Sequence, residues 1–353
     1  MSERDVRATG RPLRIAQVAP PLEPVPPIGY GGTERIVAEL VGELGRRGHQ
    51  VTTFASGDSR VAGRHVPTVP QALRPIGRGD DPADGYRLTV ELVLEREDEF
   101  YLIHAHLDPW NLELARRSRI PVVSTFHRRL DVSWASYALG GAGRGLVAVS
   151  RDQTRVHPSL DWTVVHNGLT FDPPPLAETP GEDFCFVGRM VPEKGFLDAI
   201  EISRLTGRRL AVAAKTPSLA AEREYWDAVI VPALDRADVT MLGELSRADR
   251  DLLVARSRAS LVPSAGPEPF GLVVIEALAC GTPVLARRAG AIPEILRDGL
   301  DGFLGDDARQ LAFFDRHLDG LDRGAIQTAA LARFHVGRMV DRYEAVYVRL
   351  LRA

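Results

Sequence analysis

Short apolar segments alternate with helix-length amphipathic ones along most of the chain, and this alternation restricts the fold more than any other property of the sequence. Residues 14–19 read as a buried strand, 33–47 as a helix stopped by Gly48, and 51–55 as the next strand. Segments 101–105, 122–125 and 145–149 continue the series. Strands this short and uniformly apolar need helices over both faces, which a parallel α/β sheet provides. Between residues 56 and 99 the pattern breaks into a stretch interrupted by Pro and Gly, with one acidic helix near 88–97. A second series opens at Asp183. Strands at 184–187, 210–214, 239–242, 260–263 and 284–286 alternate with helices at 196–205 and 219–234. Ser246 and Asp249 form a capping box for a further helix. Pro173, Pro174, Pro175 and Pro180 mark a linker over 170–182. The expected division is an N-terminal domain 1–170 and a C-terminal domain 171–335, with an amphipathic helix in 336–353 packing back on the first.

Composition removes several function classes. A net charge of −3 gives no general drive toward nucleic acid or anionic lipid. No apolar run approaches the roughly 20 residues of a membrane span, and residues 1–12 are polar, without the apolar core of a signal peptide. Cys185 and Cys280, the two cysteines, sit in apolar surroundings and no metal-ligand spacing occurs, so a reduced, cytoplasmic setting is expected. Of 44 basic residues only Lys194 and Lys215 are lysines, each just after an expected strand of the second series. Carboxyl ends of strands are where open α/β sheets bind ligands, and a compact ammonium suits a phosphate.

The run 267–284, Pro-Glu-Pro-Phe-Gly-Leu-Val-Val-Ile-Glu-Ala-Leu-Ala-Cys-Gly-Thr-Pro-Val, is the most specific element. A loop carboxylate, Glu268, precedes Phe270, Gly271 and Leu272, and an apolar helix then ends at Gly281. Glu276 is the one acid on that helix, and burying it would cost several kcal/mol without a hydrogen-bonding partner. The two adjacent hydroxyls of a ribose would be such a partner, and the helix N-terminus would face attached phosphates. An exposed helix face and an ordinary loop acid are the plain alternative. Gly188-Arg-Met-Val-Pro-Glu-Lys-Gly195 follows the first strand of the second series, close enough for Arg189 and Lys194 to converge on one diphosphate or to be surface charges of a turn. Gly29-Tyr-Gly-Gly-Thr-Glu34 lies between the first strand and its helix, where Gly31 and Gly32 would let backbone N–H groups approach an anion. His127 ends an expected strand, and His104 and His106 alternate on another as structural or acceptor-side groups. Asp249-Arg-Asp251 suits a helix cap and dipole better than a metal.

The 267–284 run resembles the E-x7-E signature of family 4 retaining glycosyltransferases, and 188–195 resembles that family's G-R-x-x-x-E-K-G pattern. The resemblance covers nearly the whole chain, most weakly at 57–99 and 306–327. It implies the glycosyltransferase-B architecture, two facing Rossmann-like domains with an interdomain cleft. It places the donor sugar at Glu268 and His127, the ribose at Glu276, and the diphosphate at Arg189 and Lys194. Gly31 and Gly32 face the donor phosphates and the acceptor, while Phe270, Gly271 and Leu272 belong to the donor-binding loop and helix start. Lys215, Gly243 and Glu244 frame the base. Ser150 and Arg151 resemble an element near the cleft, and Asn167-Gly168 resembles the Asn-Gly at the domain crossing. The implied reaction moves a sugar, with retention, from a nucleoside diphosphate (UDP favoured, GDP possible) to a hydroxyl of a small molecule or glycan. It needs neither metal nor cofactor. The arginine bias and the string 26–34 resemble actinobacterial members. A nucleotide-sugar epimerase on the same fold and a non-catalytic nucleotide-sugar-binding protein are the rivals, and a dehydrogenase lacks its nicotinamide fingerprint. No transmembrane segment is expected, and peripheral membrane contact is left open.

Overall fold

The computed structural model describes residues 12–29, 31–177, 179, 181–215, 217, 219–234 and 238–352. Residues 1–11 of the polar N-terminus, Tyr30 of the glycine loop, and Glu178 and Pro180 of the expected linker lie outside the described residues. The chain divides into two compact units, one formed by Met1–Thr170 with His335–Ala353 and the other by Phe171–Phe334.

The first unit contains β1 (Arg14–Val18), α1 (Gly32–Arg46), β2 (Gln50–Ala55), β3 (Arg64–Pro67), α2 (Ala83–Leu94) and β4 (Leu102–Ala105). It continues through α3 (Asn111–Arg117), β5 (Val122–Phe126), α4 (Ser133–Leu139), β6 (Leu146–Ala148), α5 (Arg151–Thr154) and β7 (Trp162–Val164). The strands pair in parallel in the order β3-β2-β1-β4-β5-β6-β7. The chain works outward from β1 in one direction and then from β4 in the other. Loops leaving β1 and β4 therefore diverge and open a crevice at the carboxyl edge. Helix α1 is fixed by the apolar stripe Ile36, Val37, Leu40, Val41 and Leu44, all buried. Each such side chain contributes about 1.5–3 kcal/mol. Gly48, at φ 90°, ends the helix, and the His49 N–H closes it by donating to the Leu44 carbonyl.

The second unit contains β8 (Phe184–Arg189), α6 (Phe196–Thr206), β9 (Leu210–Lys215), α7 (Ala220–Tyr225), α8 (Val231–Leu234), β10 (Val239–Gly243) and α9 (Arg247–Arg256). It continues through β11 (Ala259–Val262), α10 (Leu272–Ala279), β12 (Val284–Arg287), α11 (Ile292–Ile295), β13 (Gly302–Gly305), α12 (Ala308–Phe313) and α13 (Arg323–Phe334). Its strands are again all parallel, in the order β10-β9-β8-β11-β12-β13, so the crevice falls between β8 and β11. Phe184, Phe186 and Phe196 anchor the core beneath it. Both units are Rossmann-like.

The last helix, α14 (Val336–Leu351), belongs to the first unit. Its first N–H, from Val336, donates to the Leu169 carbonyl at 3.0 Å. Arg47 then ties it to α1, donating to Asp341 at 2.8 Å, to Glu344 at 2.7 Å and to the Gly337 carbonyl at 2.8 Å. A Cβ on Gly168 would stand 2.9 Å from the His335 carbonyl oxygen, so this close approach requires glycine.

Two sequence expectations shift. The acidic helix expected at 88–97 is α2, ending at Leu94, because Glu97 is buried in a separate 3₁₀ turn (Glu97–Glu99) and takes hydrogen bonds from Ser118 and Arg119. The single helix expected at 219–234 is split by a wide turn over Trp226–Ile230, which contains Ala228, the residue four before Pro232, to whose carbonyl Pro232 can offer no N–H. Among the described residues no helix is long and apolar enough to cross a membrane.

Candidate active site

At the carboxyl edge of the second unit, β8 ends in Gly188 and Arg189 and continues into the 3₁₀ turn Pro192–Lys194. Gly195 closes that turn at φ 69°, where a Cβ would lie 2.0 Å from the Pro263 carbonyl oxygen. Glycine is thus required for the loop after β8 to lie on the loop after β11, and the Ala265 N–H locks the two by donating to the Glu193 carbonyl at 2.9 Å. This seam brings Lys194 to Glu268: Nζ donates to Oε1 at 2.5 Å, and Ser264 Oγ donates to the same oxygen at 2.9 Å. The Glu268 backbone is fixed from the other side, because Gly290 (φ 58°) leaves room for it where a Cβ would stand 2.4 Å from the Glu268 nitrogen.

Gly271, at φ 96°, starts α10 in a conformation that favours glycine. Along α10, Leu272, Val273 and Glu276 are only partly buried while Val274, Ile275, Ala277 and Leu278 are in the core. The spacing of three and four residues puts the first three on one face. Glu276 Oε1 lies 2.9 Å from Arg250 Nη2, and Arg250 also holds Asp251 at 2.9 Å. The preceding helix thus supplies the Glu276 carboxylate with a guanidinium, a partner the sequence reading does not include beside the ribose. It also changes the reading of 249–251. Ser246 caps α9, its Oγ accepting from the Asp249 N–H at 3.2 Å, but the arginine beside Asp249 reaches the diagnostic helix. The Phe270 ring, before α10, is 3% exposed and packs edge-on against Phe334 at 6.3 Å, so this side chain belongs to the core.

Arg189 Nη1 donates to Glu222 Oε1 at 2.9 Å, from the first turn of α7. Lys215 is in register with Arg189 on the neighbouring strand. Gly243, at φ 72°, ends edge strand β10 with exposed Glu244 after it. These groups share the β8 edge at about 5 and 10 Å, one and two strand spacings away. The structure therefore brings Lys194 and Glu268 into contact and gives Arg189 and Glu276 their own partners. Glu222, Arg250, Ser264 and Gly290 were missed from sequence; the acid in the first turn of a helix and the arginine between two aspartates were the available signals.

In the first unit the crevice lies between β1 and β4. Gly31 caps α1 and Gly32 is its first residue. A Cβ on Gly31 would meet Pro27 at 2.7 Å. Glu34, in the first turn, is 4% exposed, and burial pushes its carboxyl up to about 7 despite the Arg74 and Arg128 charges. Asp108, just beyond β4, is raised to about 6, again mainly by burial. Its Oδ2 accepts from the His127 N–H at 2.7 Å and the Arg128 N–H at 3.1 Å, which fixes the backbone where β5 ends. His127 is partly exposed, and its ring contacts buried His106 at 2.8 Å. Burial, then the Arg128 charge, lowers the His127 pKa to about 3, and burial holds His104 and His106 well below the usual histidine range. All three rings are neutral at pH 7. Neither Glu34 nor Asp108 stood out in the sequence, because nothing local marks an acid for burial. Ser150 caps α5, and Asn167 is buried beside Gly168. Among the described residues no three His, Cys, Asp or Glu side chains come together as a metal site.

Two doubly wound parallel units, each with polar residues gathered where its strand order reverses, define an α/β enzyme of the glycosyltransferase-B fold class. Residues 30–171 match the model of Glycosyltransferase Family 4 and residues 171–319 that of Glycosyl transferases group 1. The chain is 29% identical to the D-inositol 3-phosphate glycosyltransferase of Acidothermus cellulolyticus over 95% of its own length and 90% of that protein. It is 30% identical to the alpha-maltose-1-phosphate synthase of Mycobacterium tuberculosis, over 80% and 84% of the two chains. The crystal structure of AviGT4, a glycosyltransferase involved in avilamycin A biosynthesis, superposes with a TM-score of 0.69 at 26% identity, covering 97% of this chain and 99% of that one. The chain belongs to the family 4, group 1 glycosyltransferases and is a sugar-transferring enzyme.

Proposed function

We propose that the chain moves a sugar from a nucleoside diphosphate, with UDP the first base to test and GDP the second, to a hydroxyl of a small-molecule or glycan acceptor. The reaction retains anomeric configuration and uses neither metal nor cofactor, in a cytoplasmic setting. The observation that carries the reading is the contact of Lys194 with Glu268 across the β8–β11 crevice. A cation for a diphosphate and a carboxylate for sugar hydroxyls are held by one seam. An ammonium has three donors, so its bond to Glu268 is compatible with a phosphate oxygen on the same nitrogen.

In this reading Glu276, steadied by Arg250, takes the ribose hydroxyls. Arg189 and Lys194 take the diphosphate, with Gly271 and Leu272 presenting the start of α10 to it. Lys215, Gly243 and Glu244 flank the base. Gly31, Gly32 and His127 belong to the donor and acceptor side of the first unit. The sugar carbon breaks its bond to the phosphate oxygen and forms one to the acceptor oxygen on the same face, and the departing phosphate receives the acceptor's proton. Charge grows on that phosphate, which is why positioned cations lower the barrier. No carboxylate is assigned as a covalent nucleophile. Retention comes from the family.

Calorimetry with UDP, GDP, dTDP and ADP, each with and without EDTA, tests the donor half on the wild type and on Glu276→Ala. Binding of one nucleotide that survives EDTA and weakens at least tenfold in the variant is expected. Equal binding by wild type and variant would remove Glu276 from the ribose, and dependence on a divalent ion would overturn the metal-free mechanism. The anomeric configuration of the product, read by NMR couplings, decides retention.

A further inference from the structure

A continuous row of buried hydrogen bonds runs from α14 to His127. Tyr347 Oη lies 2.8 Å from His104 Nδ1, and His104 Nε2 lies 2.8 Å from Thr125 Oγ1, which meets Tyr343 Oη at 3.2 Å. Gln17, on β1 and 0% exposed, joins this group to the next pair of rings. Its Nε2 donates to Tyr347 Oη at 3.2 Å and approaches His104 Nδ1 at 3.3 Å, while its Oε1 is 3.1 Å from His106 Nε2. His106 Nδ1 then meets His127 Nε2 at 2.8 Å. His127 makes no other side-chain hydrogen bond among the described residues, and it alone of the three rings is partly exposed.

The protons along this row are not independent. A neutral imidazole has one donor and one acceptor, so fixing one end fixes the next ring. Gln17 Oε1 can only accept, and therefore His106 carries its hydrogen on Nε2. His106 Nδ1 is then a lone pair, which requires the hydrogen of the 2.8 Å contact to sit on His127 Nε2. His127 Nδ1 is left as a lone pair. The amide of Gln17 sets the direction, because its NH2 group donates to Tyr347 Oη at 3.2 Å and leaves the Tyr347 hydroxyl hydrogen for His104 Nδ1 at 2.8 Å. Turned over, it would present a hydrogen to His106 Nε2 and so move the His106 and His127 hydrogens to Nδ1.

We infer that Gln17 and His106 are positioning residues that hold His127 in a single tautomer, Nε2–H with a bare Nδ1, so that its open nitrogen accepts a hydrogen bond from a substrate hydroxyl. This rests on the placement of His127 at the donor sugar. It adds a specificity: a hydroxyl is welcomed there, and a carboxylate, carbonyl or fluorine at the same position of the sugar is not. Burial of the row protects the arrangement, since water has no access to an alternative partner for His104 or His106.

The test is ¹⁵N–¹H correlation of the histidine rings in the full ligand-free chain at pH 7.5, with the His127 resonances assigned by their loss in His127→Ala. Nδ1 of His127 is expected in the unprotonated range and Nε2 in the protonated range, with His106 likewise protonated on Nε2. Gln17→Met, close in size but without the polar contacts, is expected to give averaged signals from both tautomers of His127. A hydrogen on Nδ1 in the wild type overturns the inference whether or not the variant folds, and so does a Gln17→Met spectrum unchanged from wild type. Kinetics separate this from the donor reading. The KM for donor is expected to rise about tenfold in Gln17→Met with kcat nearly kept, as for one lost hydrogen bond of about 1.4 kcal/mol. Unaltered donor binding in His127→Ala would instead remove His127 from the sugar and leave the tautomer result standing.

Discussion

At the carboxyl edge of the first unit, His104, His106 and His127 are neutral and hydrogen-bonded in a row, whereas at the same edge of the second unit Lys194–Glu268, Arg189–Glu222 and Arg250–Glu276 are opposite charges in contact. Both sheets are parallel and doubly wound, and both collect polar groups where strand order reverses. The topology fixes the place and the side chains choose the electrostatics. Ion pairs suit a ligand whose charge increases as a bond breaks. A neutral row suits uncharged hydroxyls whose recognition depends on where single protons sit.

The charged edge should be the more sensitive to losing one member. On the proposed role of Lys194 at the leaving phosphate, Lys194→Ala is expected to lower kcat for sugar transfer by about 10²–10³-fold, near 3–4 kcal/mol, and it leaves Glu268 without that partner. Lys194→Arg should recover only part of this, since a guanidinium fork does not replace a compact ammonium at the Gly195 seam. Recovery to the full rate would show that charge alone matters there.

The neutral edge should reveal itself in stability. The Glu34 carboxyl is raised from 4.5 to about 7 by burial. A raised pKa in the folded state means that the folded chain binds the proton more tightly than the unfolded chain. The associated stability is complete below about pH 4.5 and is lost as pH rises through about 7, a decline of order 3 kcal/mol at most. Glu34→Gln should flatten that part of the urea-unfolding profile and be more stable than wild type at pH 8. A parallel profile for the two proteins would mean that Glu34 is ionised and paired, making the first unit resemble the second.

Arg250→Ala sharpens the contrast at about 2–3 kcal/mol of stability, because the Glu276 carboxylate, 11% exposed, would lose its guanidinium. Arg250→Ala combined with Glu276→Gln should recover much of that loss without recovering nucleotide affinity. If the double variant binds nucleotide like the wild type, Glu276 serves only to hold Arg250.

Why some of this was legible follows from how local each signal is. The helix after β11 announces itself by its apolar run, by Gly271 and Gly281 at its ends, and by one acid. The seam after β8 does so by Gly195 and the scarce lysine beside it. The partners were hidden because they come from elsewhere in the chain: Arg250 is 26 residues before Glu276, and Glu222 is 33 after Arg189. Region 57–99 was opaque because its one strand, β3, is a four-residue edge strand ending in Pro67, too short for any periodicity to show. Gln17 did leave a trace, as the single amide in the buried strand Arg-Ile-Ala-Gln-Val. Tyr343 and Tyr347 looked like ordinary members of an amphipathic face.

Those tyrosines supply the smallest test. Tyr347→Phe removes a hydroxyl that contacts both Gln17 and His104, and should cost about 1 kcal/mol of stability. Tyr343→Phe loses only the contact to Thr125 and should cost less. The two differ in what they do to the active edge. Tyr347 lies next to the amide that sets the direction of the row, so its loss frees Gln17 to turn over and should admit a second His127 tautomer. Tyr343 lies at the far end, beyond His104, where the proton on His106 is already determined by Gln17. A change in the His127 spectrum for Tyr347→Phe alone would show that direction, and not packing, is what α14 contributes; identical spectra would reduce the helix to a structural brace.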